Sequence, residues 1–178
     1  MKEKINVFEY SQTILTALRK GVLLTTRAEG KTNTMTISWG ALGIEWSKPI
    51  FTVYVRENRF TRALLEKNPE FTINVPFGEC DCRILGLAGT RSGSQMDKVK
   101  ELGLTLEDGE VVSVPGIREF PLTLECRVVY RQGQTPATMK SEYNTLFYPQ
   151  DVPGTFHGAN RDYHTAYYGE IVAAYIIR

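Results

Sequence analysis

The sequence predicts a mainly β protein, an antiparallel barrel with helices at its periphery. Six segments read as strands, and most of them follow one another along the chain without an intervening helix. Two of the six flank a tight turn suited to a hairpin, and a third, LTLECRVVYR, alternates apolar and polar residues over its length. A doubly wound α/β sheet would interleave strands and helices regularly, which this chain does not do. With 178 residues and no shift in composition, repeat or low-complexity block, residues 1–178 are expected to form a single domain.

Taken in order, Ile14, Leu15 and Leu18 lie on one helical face, and Gly21 follows as a stop, so a helix precedes the first strand. VLLTTRA (22–28) and TNTMTISW (32–39) flank Glu29-Gly30-Lys31 as a hairpin. IFTVYV (50–55) and FTINV (71–75) are rich in β-branched and aromatic residues, and RFTRALLEKN between them reads as a short helix halted before Pro69. In LTLECRVVYR (122–131) the alternation predicts one buried face. YHTAYYGEIVAAYIIR is long enough for a bent strand crossing much of a barrel, with Gly169 at the bend or bulge. From Gly133 to Asp162 the chain carries prolines, glycines and aromatics together. This is the composition of a lid over a ligand or an arm across a subunit interface rather than of simple disorder.

Composition removes several function classes. Lys plus Arg number 21 against 20 Asp plus Glu, a net charge of +1, and no basic stretch is present to coat a nucleic-acid backbone. No apolar run approaches a membrane span, and MKEKINVFEY lacks the apolar region of a signal peptide, so no membrane partner and a cytoplasmic location are expected. Cys80, Cys82 and Cys126 form no even disulfide framework. They are expected to be reduced, with Cys80 and Cys82 as small packing residues. Zinc would need four ligands from these and His157 and His164, so no metal site is expected. Neither histidine sits in a triad motif, which argues against hydrolysis.

Three stretches carry chemistry. In AGTRSGSQMDK (88–98), Ser94 and Asp97 have the spacing of a capping box, predicting a helix start near Ser94 whose free amides, with Arg91 and Lys98, suit a phosphate. An ordinary capped surface helix explains the same residues. VRENRFT (55–61) offers Asn58, Arg59 and Thr61 at a second helix N-terminus, and two cations balance a phosphate monoester of about −1.5 to −2 charges. Two unrelated surface helices are the alternative. In NTMTISWGALGIEW (33–46), Thr34, Thr36 and Ser38 share a strand face, while Trp39 and Trp46 bracket a loop of small residues. An aromatic heterocycle with polar edges could pair with exposed backbone there, though a strand and turn with buried tryptophans fits as well.

Together NTMTISWGALGIEWSKPIFTVYVRENRFT, GTRSGSQMDKVKELGL, LECRVVY and DYHTAYYGEI resemble the flavin reductase-like FMN-binding split-barrel family, in particular its flavoredoxin-type branch. The likeness runs in unchanged order from about Gly21 to Ile171. The resemblance implies a homodimeric, six-stranded split β-barrel holding FMN near the subunit interface. By similarity, Asn33, Thr34, Met35, Thr36, Ser38 and Trp39 would line the isoalloxazine. Asn58, Arg59, Thr61, Thr90, Ser92, Gly93 and Lys98 would hold the ribityl phosphate, and His164 would stand near the flavin or nicotinamide as the catalytic candidate, a hydrogen-bonded structural histidine of a half-buried strand being the alternative. Relatives often carry SGRD where this chain has Ser92-Gly93-Ser94-Gln95, which leaves Arg91 as the substitute cation.

Three functions follow as expectations. The first is an enzyme passing electrons from NAD(P)H through FMN to free flavin or another acceptor. The second is a flavoredoxin-type FMN carrier reduced by a redox protein partner, and the third is a non-redox dimeric ligand-binding barrel. No G-x-G-x-x-G follows a strand, so a nicotinamide would dock transiently on the flavin face.

Overall fold

The computed structural model describes residues 1–178. The elements in chain order are β1 (Lys2–Lys4), α1 (Ser11–Leu18), β2 (Val22–Ala28), β3 (Lys31–Ile37), β4 (Gly40–Glu45), β5 (Lys48–Arg56), α2 (Phe60–Lys67), β6 (Glu70–Val75) and α3 (Arg83–Thr90). They continue with α4 (Lys98–Glu101), β7 (Leu106–Glu107), β8 (Gly116–Ile117), β9 (Leu122–Gly133), α5 (Ser141–Phe147) and β10 (His164–Ile177). The six strands read from the sequence are β2, β3, β5, β6, β9 and β10, and every pairing among them is antiparallel.

The sheet runs β3-β2-β6-β9-β10-β5-β4, with β1 added alongside β10. Laid flat at about 4.8 Å per step, six steps between strands would separate its two ends by roughly 29 Å. Yet β3 and β4 are joined only by Ser38 and Trp39, a link that reaches roughly 11 Å at 3.8 Å per residue step. The sheet must therefore curl until its ends approach, and the result is a barrel open along the edge of β3. Its interior is filled from several strands, by Phe51, Val53, Phe71, Ile73, Leu122, Leu124 and Tyr167 among others. A second cluster, including Leu23, Leu85, Ala88, Ile117 and Phe120, packs outside, where α3 and the 104–120 segment cover the sheet.

Local expectations fare unevenly. Gly21 ends α1 with φ +123°, and the β2–β3 turn places Glu29 and Gly30 at φ 50° and 75°, the paired positive values of a two-residue hairpin. Gly169 sits at a register shift in β10, and a Cβ there would lie 2.5 Å from the Phe71 ring, so the bulge and the core residue require the glycine together. The small-residue loop expected between the tryptophans is instead strand β4, turned back into β5 by Trp46 and Ser47 at φ 50° and 57°. Both tryptophans are exposed.

In β9 the expectation of one buried face fails. Residues 122–126 are buried on both faces and most of those beyond are exposed. The reason is the 108–115 segment, which lies over the outer face. Glu125 accepts backbone N–H groups from Glu110 at 2.6 Å, Val111 at 2.7 Å and Val112 at 2.9 Å, and Thr72 Oγ1 donates to the Pro115 carbonyl at 2.7 Å. A buried carboxylate with three amide donors is a satisfied one. Cys80 and Cys82 are not packing residues: the first is half-buried and the second exposed, whereas Cys126 is buried and its thiol is pushed up by burial. No helix is long and apolar enough to cross a membrane.

Candidate functional site

Strand β3 ends the sheet, so half of its backbone polar groups have no strand to pair with. The tight turn makes Ala28 and Lys31 a hydrogen-bonded pair, and strict alternation from there directs the N–H and C=O of Thr32, Thr34 and Thr36 to the open side. Lys98 confirms the direction by donating from Nζ to the Thr34 carbonyl. Along this edge lies a cavity of about 500 Å³ lined by Met35, Thr36, Ile37, Ser38, Trp39, Tyr54, Arg56, Arg59, Leu146, Phe147, His157, Gly158, Ala159 and His164. Trp39 packs edge-on against Phe147 at 5.2 Å between ring centroids, and its ring lies 5.2 Å from that of His164. This is a slot for a flat, partly apolar group with a polar edge.

A second cavity of about 370 Å³ shares Met35, Arg56 and Arg59 with the first. Its lining has the opposite chemistry. Arg56, Arg59, Arg91 and Lys98 contribute cations, Asn33, Asn58, Thr61, Thr90, Ser92, Ser94 and Gln95 contribute polar groups, and no carboxylate lines it. Lys98 is 4% exposed, and its ammonium donates to the carbonyls of Thr34 at 3.0 Å and Ala88 at 2.6 Å, leaving one N–H for a guest. Burial, then the neighbouring Arg59, lowers its pKa to about 8. Arg59, at the cap of α2, donates to the His157 carbonyl at 3.2 Å. Asn33 donates to Thr61 Oγ1 at 2.9 Å while its own Oδ1 is buried without a partner. A Cβ at Gly93 would fall 1.9 Å from that oxygen, so only glycine lets the 91–97 loop lie this close. A pocket rich in cations and donors, lined by no carboxylate and with only Asp162 nearby to offset Arg56 and Arg59, suits an anion.

The 146–162 segment closes over both cavities. Arg56 holds it: the guanidinium, 8% exposed, donates to the carbonyls of Phe147 at 3.1 Å, Asn160 at 3.3 Å and Asp162, and stands 5.1 Å from the Tyr148 ring centroid. His164, the first residue of β10, is fixed from behind. Gln134 Oε1 accepts the His164 backbone N–H at 3.1 Å and so must also be the acceptor for Tyr148 Oη at 2.6 Å. Tyr148 oxygen then accepts from His164 Nδ1 at 2.8 Å, which assigns the ring proton to Nδ1 and leaves Nε2 an acceptor. Burial, followed by Arg56 and Arg59, lowers the His164 pKa to about 3, so the imidazole is neutral at physiological pH.

Of the residues expected from sequence, Met35, Thr36, Ser38, Trp39 and His164 line the aromatic cavity, and Asn33, Asn58, Arg59, Thr61, Thr90, Ser92, Gly93 and Lys98 line the cationic one. Thr34 lines neither. Its side chain is fully buried, and its hydroxyl bonds Thr25 Oγ1 at 3.1 Å; only its carbonyl reaches the site, through Lys98. Thr34 and Thr36 do share a face, but α3 covers it, and the Thr36 hydroxyl donates to the Leu85 carbonyl. The helix start at Ser94 is also corrected. α3 ends at Thr90, Ser94 pairs with Ser92 in a turn, and α4 begins only at Lys98, capped by Asp97 accepting Lys100 N–H at 3.1 Å. The donors here belong to a loop, not a helix end. Arg91 lines the cationic pocket, as a substitute cation should. Arg56 was missed, although it lies within VRENRFT; the Gly133–Asp162 stretch, read as a lid or an interface arm, does line both cavities, but its individual contacts, Leu146, Phe147 and His157 among them, were not singled out for the site.

A family model described as flavin reductase like domain matches residues 18–178. An uncharacterized protein of Archaeoglobus fulgidus is 34% identical over 127 residues, covering 71% of this chain and 67% of that protein. The uncharacterized protein YddH of Escherichia coli is 32% identical over 117 residues, covering 65% of this chain and 58% of its own length. The matched part thus spans well under two thirds of YddH. Among solved structures, flavoredoxin from Methanosarcina acetivorans superimposes with a TM-score of 0.66 at 25% identity, over 89% of this chain and 68% of the other.

Proposed function

The chain belongs to the flavin reductase-like domain family, and from that premise we propose that it binds FMN and passes electrons from NAD(P)H to free flavin or another acceptor. The observation that carries the reading is the pair of adjoining cavities, one cationic without a carboxylate and one aromatic along a free strand edge, joined through Met35, Arg56 and Arg59. The residues fit the cofactor. The one free N–H of Lys98 and the close approach that Gly93 permits belong to the pocket that would take the phosphate, while the orphaned Asn33 Oδ1, an acceptor, would suit a ribityl hydroxyl rather than the phosphate. FMN, when bound, supplies the hydride and one-electron chemistry.

The protein's own residues bind, orient and shield. Arg59 and Lys98 would neutralise the phosphate, with Asn58, Thr61, Thr90, Ser92 and Gly93 around it. The outward N–H and C=O of Thr36 would pair the polar edge of the ring, and Trp39 and Phe147 would wall its apolar part. Arg56 keeps the 146–162 segment closed, which excludes water. His164 is a neutral acceptor through Nε2, and its fixed ring would position the incoming nicotinamide or acceptor.

A homodimer belongs to the same reading. Ile44, Trp46 and Leu146 are 71%, 57% and 62% exposed, an apolar display suited to a symmetric partner. Likeness to a flavoredoxin supports the second reading, a carrier reduced by a redox protein. The absorbance of the purified protein, recorded before and after anaerobic NADH or NADPH, tests both. A flavin spectrum bleached rapidly by a nicotinamide supports the enzyme, whereas a flavin spectrum left unbleached supports the carrier. Absence of flavin together with failure to bind added FMN overturns both.

A further inference from the structure

The 76–82 segment joins β6 to α3 and takes no part in either cavity. Within it the Sγ atoms of Cys80 and Cys82 are 3.6 Å apart. Each thiol has only the other as a hydrogen-bond partner, and Cys82, at the start of α3, does not cap that helix with its side chain. Asp81 is turned aside, since its carboxylate holds the Arg83 backbone N–H at 3.0 Å and the Arg83 guanidinium at 2.8 Å. The half-buried Cys80 and exposed Cys82 sulfurs thus face one another, with the Asp81 carboxylate between them paired to Arg83. Cys126 is fully buried and apart from them.

We propose that Cys80 and Cys82 form a reversible dithiol–disulfide pair, oxidised by low-molecular-weight disulfides. To reach the bonded separation of 2.03–2.05 Å the sulfurs must close by about 1.6 Å. The chain permits this on one side. Residues 76–80 make no backbone hydrogen bond outside the pair's own contact, whereas Cys82 is held by its carbonyl accepting from Leu85 N–H at 3.2 Å. Cys80 therefore moves and Cys82 stays. Gly78, at φ +82° with open space around it, supplies the hinge.

The exchange balances in two steps. The exposed Cys82 thiolate attacks one sulfur of the small disulfide, forming a mixed disulfide and releasing one small thiolate, which takes up the proton that Cys82 lost. The Cys80 thiolate then attacks the Cys82 sulfur, the protein disulfide forms, and a second small thiol leaves. Two electrons pass from the protein dithiol to the small disulfide, which is reduced to two thiols. The flavin site is not required: α3 places the pair about 12 Å, eight residues at 1.5 Å each, from the 91–97 loop.

The test uses the full chain incubated with glutathione disulfide, acid-quenched, alkylated and mapped by mass spectrometry. The expected product has lost two hydrogens and both alkylation sites at Cys80 and Cys82, with no glutathione attached and Cys126 unreacted until denaturation. Dithiothreitol should restore both sites. Cys80→Ser should stop at a stable glutathione adduct on Cys82, whereas Cys82→Ser, which keeps only the half-buried thiol, should react far more slowly; equal rates for the two variants would overturn the assigned order. A stable adduct in the parent protein, a disulfide-linked dimer as main product, or no reaction would each overturn the proposal. FMN absorbance in the same samples reports the flavin site separately.

Discussion

The two cavities meet at Met35, Arg56 and Arg59 but obtain their specificity in different ways. The cationic one is assembled mainly from two short polar stretches, 58–61 and 88–98, with Asn33 of β3 beside them and Gly154 and Thr155 at its rim. The aromatic one is made by an unpaired strand edge and by a segment more than a hundred residues away that is brought over it. Recognition of charge here is local and modular, while recognition of a ring needs a surface that only the closed barrel provides. It follows that changes to the first should act on affinity for a charged ligand, and changes to the second on what happens beside the ring.

The largest expected effect is on chemistry. His164→Ala should leave FMN affinity near that of the parent but slow anaerobic flavin reduction by NAD(P)H on the order of a hundredfold, the loss a misplacement of ~1 Å can produce. Stopped-flow reduction and FMN titration on the same folded protein check it, and an unchanged rate would make His164 structural. Arg59→Ala should act the other way. The lost charge-assisted bond contributes roughly 1.5–3 kcal/mol, so FMN affinity should drop about ten- to a hundredfold while riboflavin, which has no phosphate, is little affected. Equal losses for the two ligands would erase the contrast between the cavities.

A pH series sharpens the contrast further. The pKa of Lys98 in the ligand-free protein is about 8, so above that pH the ammonium must regain a proton to meet a phosphate. FMN affinity should decline above pH 8, at most about tenfold per unit, with a flat profile for riboflavin. Isothermal titration at several pH values reads this directly, and a flat FMN profile would remove Lys98 from the phosphate site. The remaining effect is on stability, not on the ligand. The His164 pKa falls from 6.5 to about 3 on folding, so the unfolded chain binds the extra proton between these values. Its contribution is complete above pH 6.5 and is lost as pH falls toward 3, with a slope of at most about 1.4 kcal/mol per unit. Urea unfolding of the parent and His164→Gln across this window should show the steeper acid loss in the parent.

How far the site was legible follows from the same distinction. VRENRFT and AGTRSGSQMDK could be read as anion-binding because their residues lie together in the chain, and both do line the cationic cavity. Even so, the mechanism inferred for the second was wrong. The capping-box spacing at Ser94 and Asp97 is a local pattern, and the loop was instead set by Gly93 lying against Asn33. Arg56 was overlooked because its importance rests on carbonyls at residues 147, 160 and 162, which its own neighbours do not reveal.

The sequence by itself determined six of the strands, the antiparallel hairpin around Glu29 and Gly30, the short helix before Pro69 and the bend or bulge at Gly169, since each follows from side-chain alternation or backbone conformation over a few residues. Only the tertiary structure decided which faces were covered. Glu125 read as solvent-facing until the 108–115 segment supplied its donors, Thr123 until Asn74 Oδ1 became its acceptor, and Thr34 read as a ligand contact until α3 covered its face. Alternation separates the two sides of a strand, but it carries no record of what another part of the chain lays on each of them. That depends on contacts between residues far apart in sequence, and here those contacts placed the site along the edge of β3 rather than on either of its faces.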